Sequence, residues 1–415
     1  MYVLYLSTNI NKMRFLVSAI CIILFSSCQP KADKTVFDKI FEDGSSLFKS
    51  VIEEKENYEV QILFSPVTKI KDSIIIEDHF FNFRPGEFFY PASAVKMPVV
   101  FMALQKLEEL RTSGININRN TPLRIDSIRT LQTPVVWDST NTGNRPTIAH
   151  YIDKVFATSD NDAYNRLFEF CGMDYINAVL KGKGIFTNSR IVHRLGVSGF
   201  SLEENKHTPT IHFLKENGNI IYSNVNNVAQ GYHLTLVDKT QKGVAYIKDE
   251  NVRVDAPFDF GEKNFINIKD LQESLRRFIF PELYYPGQRY KMSNEDRDYV
   301  LQSMAKLPSE HAYLANIEDL DYNGFGKSFL FEDSKNTRTD HIVIRNKVGY
   351  AYGYLTDCVY IQDKKEGIEY FLTATIHVNK NQTYNDGVYE YEEIGLPFLS
   401  ELGSLVHNYM IKNKK

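Results

Sequence analysis

Tryptophan occurs once and cysteine only four times in the 415 residues. Two of the cysteines, Cys21 and Cys28, fall in or beside an N-terminal apolar stretch, which leaves Cys171 and Cys358. Two thiols build no disulfide framework, and both are read as buried and free. The chain has no His-Glu-x-x-His, no Cys-x-x-Cys, no Gly-x-Gly-x-x-Gly and no complete Gly-x-x-x-x-Gly-Lys-Ser/Thr loop. No motif therefore asks for a metal ion or a nucleotide, and the expected cofactor is none. A basic excess is also missing: 48 Lys and Arg stand against 52 Asp and Glu, a net charge of −4. Nucleic acid is not an expected partner.

Apolar residues make up 43% of the chain, enough for a large core. Lys12-Met13-Arg14 precedes an apolar run from Phe15 to Phe25, followed by Ser26-Ser27-Cys28. A basic start, a short apolar core and small residues before a cut describe a secretory signal. The run falls short of the ~20 residues of a transmembrane helix. A cysteine just after the small residues resembles a bacterial lipoprotein signal. That resemblance implies cleavage before Cys28, a lipid on Cys28, and anchorage in the bacterial cell envelope, at the periplasm or outer membrane. Met13 is as good a start as Met1, because residues 1–12 add nothing to the signal. Residues 29–35 read as a tether and 36–412 as the folded domain.

Periodicity divides that domain. Residues 36–54 have helical spacing. Residues 59–64 and 73–76 are rich in β-branched residues and read as strands. A helix buried on more than one side runs from Ser93 to about Leu110, with Pro98 in its first turn, where proline is tolerated. Thr147 caps a helix, another runs from Asp162 to Phe170, and Gly172 stops it. Residues 211–262 form a β-rich insertion, with a hairpin on Asn217-Gly218 and short strands at 232–237 and 244–247. Asn267 and Ser293 cap two further helices. Strands at 341–346, 350–361 and 368–378 precede a final helix through Met410. The class is α+β: one antiparallel sheet split between the chain ends, flanking helices, and a helical middle.

Ser93 and Lys96 stand three apart at a predicted helix start, so their side chains are neighbours. The free N–H groups and dipole there favour developing negative charge. A lysine that is buried near other cations loses its preference for the charged form. It can then take the hydroxyl proton and make serine a nucleophile. Ser-x-x-Lys also occurs at Ser46/Lys49 and Ser303/Lys306, so the pair alone is weak. Its company is stronger. Ser159-Asp160-Asn161 occurs once, 66 residues on, in a loop between two helices, and Lys347-Val348-Gly349 opens a late strand.

This set resembles the signature of class A β-lactamases and penicillin-binding proteins, Ser-x-x-Lys, Ser-Asp-Asn and Lys-[Thr/Ser]-Gly. Residues 83–92 resemble the family's lead-in to its nucleophile, and Lys347 to Asp357 its third strand. The resemblance covers most of residues 36–412 outside the insertion. It implies a β-lactamase/transpeptidase-like fold, a five-stranded antiparallel sheet flanked by helices plus a helical subdomain. It also implies roles. Ser93 attacks the carbonyl, Lys96 accepts its proton, and Ser159 passes it toward the leaving nitrogen. Asn161 holds Lys96 and the substrate amide, Lys347 adds positive potential, and the N–H groups of Ser93 and Tyr350 form the oxyanion hole. Gly349, Val348 and Arg345 are the expected substrate-binding residues.

Two departures stand out. Val348 lacks the family's hydroxyl at this position, which leaves Arg345, Tyr350 or Tyr352 to bind a carboxylate. The loop from Arg194 to Pro209 lacks the glutamate that activates water, and Glu203 and Glu204 are the candidate replacements. The expected activity is serine acyl hydrolysis, of a β-lactam or related cyclic amide. A D,D-peptidase or esterase that β-lactams inhibit, and a catalytically silent envelope binding protein, are the rivals. The expected partners are a small-molecule or peptidoglycan-like amide substrate and, through Cys28, the membrane; a monomer is expected. A lid over the site is one reading of the insertion.

Overall fold

The computed structural model describes residues 34–231, 237–248, 251–314, 326–330 and 340–414. The signal segment, Cys28, most of the tether and most of the expected strand at 232–237 lie outside the described residues. Contacts divide the chain between Lys39 and Ile40. Of the first unit, residues 34–39 are described, and residues 36–39 are the start of a short helix, Val36–Phe41. Everything below concerns the second unit.

Its main sheet has β1 (Gln61–Ile70) and β2 (Ser73–Ile76) from one chain end, and β3 (Ile342–Ala351), β4 (Tyr354–Asp363) and β5 (Ile368–His377) from the other. The order is β3-β4-β5-β1-β2, with a short strand, His79–Phe81, also paired to β1. The expected five-stranded sheet is thus present, with β1 antiparallel to β5 from Gln61↔Thr375 onward. Side chains alternate across it, as strand geometry requires. Phe64 faces the ring of Tyr409 on a C-terminal helix, while Ser65 accepts a 2.7 Å hydrogen bond from Gln272 Nε2 on the other side. Helices cover both faces. Strand β3 begins at Ile342, so Lys347 lies in its second half rather than at its start.

The helices that matter here are α1 (Lys96–Thr112), α2 (Ile148–Ala157), α3 (Asn161–Cys171), α4 (Ile268–Ile279), α5 (Asn294–Ala305) and α6 (Leu396–Lys412). Caps are where the sequence put them: the side chains of Thr147, Asn267 and Ser293 accept from the third N–H that follows each. Helix α3 starts at Asn161, with Asp160 as its cap, one residue earlier than expected. The stretch given helical spacing, 36–54, holds, within the second unit, a helix at Ser46–Glu53. Helix α1 buries residues on all sides, including Lys96, Val99, Phe101, Met102 and Leu104. That matches the absence of a polar stripe in its sequence. Cys171 and Cys358 are free and buried.

The insertion is β-rich as expected. Its hairpin pairs Ile211–Leu214 with Ile220–Asn224. Further on, Ala245–Lys248 runs parallel to Thr383–Tyr384. Lys242 pairs with Glu59 at 2.8 Å. These contacts dock the insertion on the body of the fold. Among the described residues, no helix is long and apolar enough to cross a membrane.

Candidate active site

Ser93 lies in a single 3₁₀ turn, Ala92–Val95, that runs directly into α1. Ala92 takes a positive φ of 45°, which turns the chain sharply into that helix. The approach of β3 is equally tight. A β-carbon on Gly349 would lie 2.5 Å from the main-chain nitrogens of Ser93 and Ala94 and 2.6 Å from the oxygen of Pro91. Only glycine lets the strand and the Ser93 turn come this close.

Lys96 is fully buried. Its Nζ donates to the main-chain oxygen of Ser159 and, at 2.7 Å, to Asn161 Oδ1, and lies 3.2 Å from Ser159 Oγ. Lys347 Nζ reaches the same hydroxyl at 2.9 Å and donates to Val348 O at 2.8 Å. Ser159 presents that hydroxyl from a left-handed conformation, φ 56°. Such backbone is uncommon for a non-glycine residue and clusters at functional sites. Two amines on one hydroxyl repel each other's charge. Burial first, then Lys347, pushes the Lys96 ammonium down from its usual range to about 6. Burial likewise lowers Lys347 to about 7, against the opposing pull of Asp357. Asp357 is itself raised to about 6 by burial. A lysine near 6 is neutral at pH 7 and is a competent base. Among the described residues the Ser93 hydroxyl has no hydrogen-bond partner, so it is unengaged and lines the opening.

Ser93, Asn161 and Tyr350 stand where two clefts meet. The first, about 490 Å³, is polar, with Ser159, Lys327, Ser328, Asn346, Lys347, Val348 and, on the other side of the charge balance, Glu392 in its wall. Lys327 and Ser328 were not expected. Lys327 Nζ donates to Met304 O at 2.6 Å and Asn346 Oδ1 at 2.9 Å, and Asn346 donates to both Asp357 oxygens at 2.9 and 3.0 Å. The second, about 450 Å³, has Tyr90, Tyr350, Tyr352 and Tyr389 in its wall, beside small and polar residues.

Three sequence expectations need correction. Arg345 lines neither cleft: its guanidinium is tied to Leu301 O at 3.2 Å and Gln362 Oε1 at 2.7 Å. Glu203 and Glu204 also line neither cleft. They sit on a short helix, Leu202–Lys206, where Glu204 pairs with Arg129 and Glu203 with Lys206. These cations lower both carboxyl pKa values. The loop instead meets the site at Gly196, φ 63°, whose β-carbon would overlap the Asn161 side chain. Arg194 fixes the neck of that loop, bonding Glu169 Oε1 at 2.9 Å and His207 O at 2.8 Å. No described residue of the insertion lines either cleft.

A model of the Beta-lactamase enzyme family matches residues 75–410. Solved structures similar to this chain include a chromosome-encoded β-lactamase of Vibrio parahaemolyticus, 12% identical, covering 89% of this chain and 100% of its own, TM-score 0.47. A class A β-lactamase from Mycobacterium abscessus is 12% identical, covering 87% and 98%, TM-score 0.46. A β-lactamase from Desulfarculus baarsii is 11% identical, covering 88% and 96%, TM-score 0.47. None of the curated proteins matches the chain.

Proposed function

The chain belongs to the β-lactamase enzyme family, and from that premise we propose that it is a serine acyl hydrolase working through an acyl-enzyme on Ser93. The observation that carries this is the convergence of Lys96 and Lys347 on Ser159, with Lys96 held near 6. Neutral Lys96 takes the Ser93 proton as Oγ attacks the carbonyl carbon. Ser159 Oγ, between the two amines, hands that proton to the departing amide nitrogen, and the C–N bond breaks. Asn161 fixes the Lys96 amine. The N–H groups of Ser93 and Tyr350 stabilise the oxyanion, a placement supported by the close approach of Gly349 to Ser93 N. Cationic Lys347 draws an anionic group into the first cleft.

Deacylation is the slow half. Gly196 leaves no carboxylate at the loop's approach to Asn161, so water lacks a dedicated base. This favours a peptidase- or esterase-like enzyme that a β-lactam acylates and occupies. We place it at the cell envelope through a lipid on Cys28. Retention of a Cys28→Ser chain in the membrane fraction would remove that part.

Intact mass followed over time with a penicillin tests the proposal, with Ser93→Ala as control. An adduct that needs Ser93 and persists is the expected result. Rapid turnover without a lasting adduct, lost in Ser93→Ala, would mean a β-lactamase with another water-activating group. Neither adduct nor turnover would favour a silent binding protein.

A further inference from the structure

The strand that meets the Ser93 turn ends in a strained hairpin. Two residues, Tyr352 and Gly353, join β3 to β4 between the paired Ala351 and Tyr354. Both take a positive φ, 57° and 79°, as the tightest hairpin turns require. Glycine adopts that backbone freely, whereas a bulky residue such as Tyr352 does so under strain. Strain of this kind persists only where the surroundings over-determine it. Three sets of contacts do so here. Val378 N donates to Gly353 O at 2.7 Å. Gly353 N donates to the Tyr391 hydroxyl, also at 2.7 Å. The Tyr352 ring packs against Tyr90 at 5.1 Å and Phe258 at 5.5 Å.

Tyr391 reaches this turn from a different part of the fold. It opens a π-helical turn, Tyr391–Gly395, that leads into α6. Turns of that kind are rare and are frequent at functional sites. This one is seated on β4, where a β-carbon on Gly395 would lie 3.2 Å from Leu355 Cδ2. Leu355 is the partner of Tyr350 across the β3–β4 ladder. The Tyr391 ring also meets the Tyr350 ring edge-on, with centroids 5.4 Å apart. One side chain thus touches Tyr350 through its ring and holds Gly353, three residues further on, through its hydroxyl.

We propose that Tyr391 is a positioning residue for the oxyanion hole: its hydroxyl locks the β3–β4 turn and so aims the Tyr350 N–H at the carbonyl that Ser93 attacks. This rests on the acyl-hydrolase reading, which gives that N–H its work. A donor counts in catalysis when it is already aimed and does not have to reorient as charge develops. Without the hydroxyl, the Gly353 N–H loses its acceptor, and the strained turn loses one of its restraints. The end of β3 then loosens, and the Tyr350 N–H loosens with it.

The test uses the full chain and a penicillin, with rapid-quench intact mass over a range of concentrations. Such runs separate the noncovalent dissociation constant from the rate constant of acylation. Tyr391→Phe keeps the ring and removes only the hydroxyl. Acylation ~10- to 100-fold slower is expected, with the dissociation constant within about twofold, as for a contact that matters only in the transition state. Both limbs of the pH profile should stay in place, because the hydroxyl bonds the Gly353 N–H and neither lysine. Amide exchange at Gly353 in the free chain should quicken at least ~10-fold. A folding defect would lower the fraction of chain that ever forms adduct, not the rate constant of the rest. Acylation within about twofold of the parent, a weakening shared equally by the dissociation constant, or unchanged exchange at Gly353 each overturn the proposal. A parent chain that forms no adduct on Ser93 would sink the acyl-hydrolase reading and this proposal together. A parent that acylates no faster than Tyr391→Phe would sink this proposal alone.

Discussion

Gly349→Ala is the sharpest probe of the site's construction. The added β-carbon would stand 2.5 Å from the nitrogens of Ser93 and Ala94, where ordinary contact begins at 3.4 Å. All three crowded atoms are main chain, so no side chain can swing aside. Moving from 2.5 to 3.4 Å, β3 and the Ser93 turn must part by up to about 0.9 Å. A misplacement of about 1 Å costs on the order of 10²-fold in rate, close to ~2.7 kcal/mol of transition-state stabilisation. The overpacking itself should cost about 1–3 kcal/mol of stability. The assay is rapid-quench mass spectrometry of acyl adduct formation, beside a thermal melt. Acylation ~100-fold slower, with a lower Tm, is expected. A variant that acylates within about threefold of the parent and melts at the same temperature would refute the claim that this contact sets the geometry.

Four further outcomes follow. Acylation should rise with pH as Lys96 loses its proton near 6 and fall as Lys347 loses its charge above about 7, a bell that rate measurements across pH will show. Asp357→Asn removes the charge that holds Lys347 up, so the alkaline limb should move to lower pH; an unmoved limb would deny the coupling. Lys96→Arg puts a permanent cation where a neutral base stands, because arginine does not lose its proton, and adduct formation should fall by ~10²- to 10⁴-fold. Glu203→Gln and Glu204→Gln should leave the lifetime of the adduct within about twofold, since both carboxylates are paired away from the clefts.

Much of the site was legible because its chemistry is local. Ser93 and Lys96 share one helix turn, and Ser159 and Asn161 flank the Asp160 cap of another, so short spacings reveal them. The helices carried their own caps, and β4 and β5 their own β-branched runs. What stayed hidden depends on contacts across the chain. Gly326-Lys327-Ser328 lacks the upstream glycine of a phosphate loop and was passed over, yet folding brings Lys327 and Ser328 into the first cleft. Gly196 looked like one loop glycine among several until Asn161 lay against it. Glu203 and Glu204 were counted as loop carboxylates, but Ser201 caps a helical turn that aims them at Arg129 and Lys206. The tyrosine wall gathers residues 90, 350, 352 and 389, with no periodicity to announce it.

The sheet's split origin has a consequence for timing. β1 finds its central partner only in β5, with Gln61 opposite Thr375, and the Ser93 turn meets Gly349 on β3. Such distant pairings form late, because the loop entropy must be lost before the contacts repay it. Until residues 342–377 have been made and folded back, Lys96 has neither the burial nor the Lys347 neighbour that keeps it neutral. The unfinished chain thus carries an ordinary serine beside an ordinary charged lysine. On the proposed mechanism, completion of the last strands is what makes Ser93 reactive, so a chain ending before residue 342 should remain unlabelled by a penicillin.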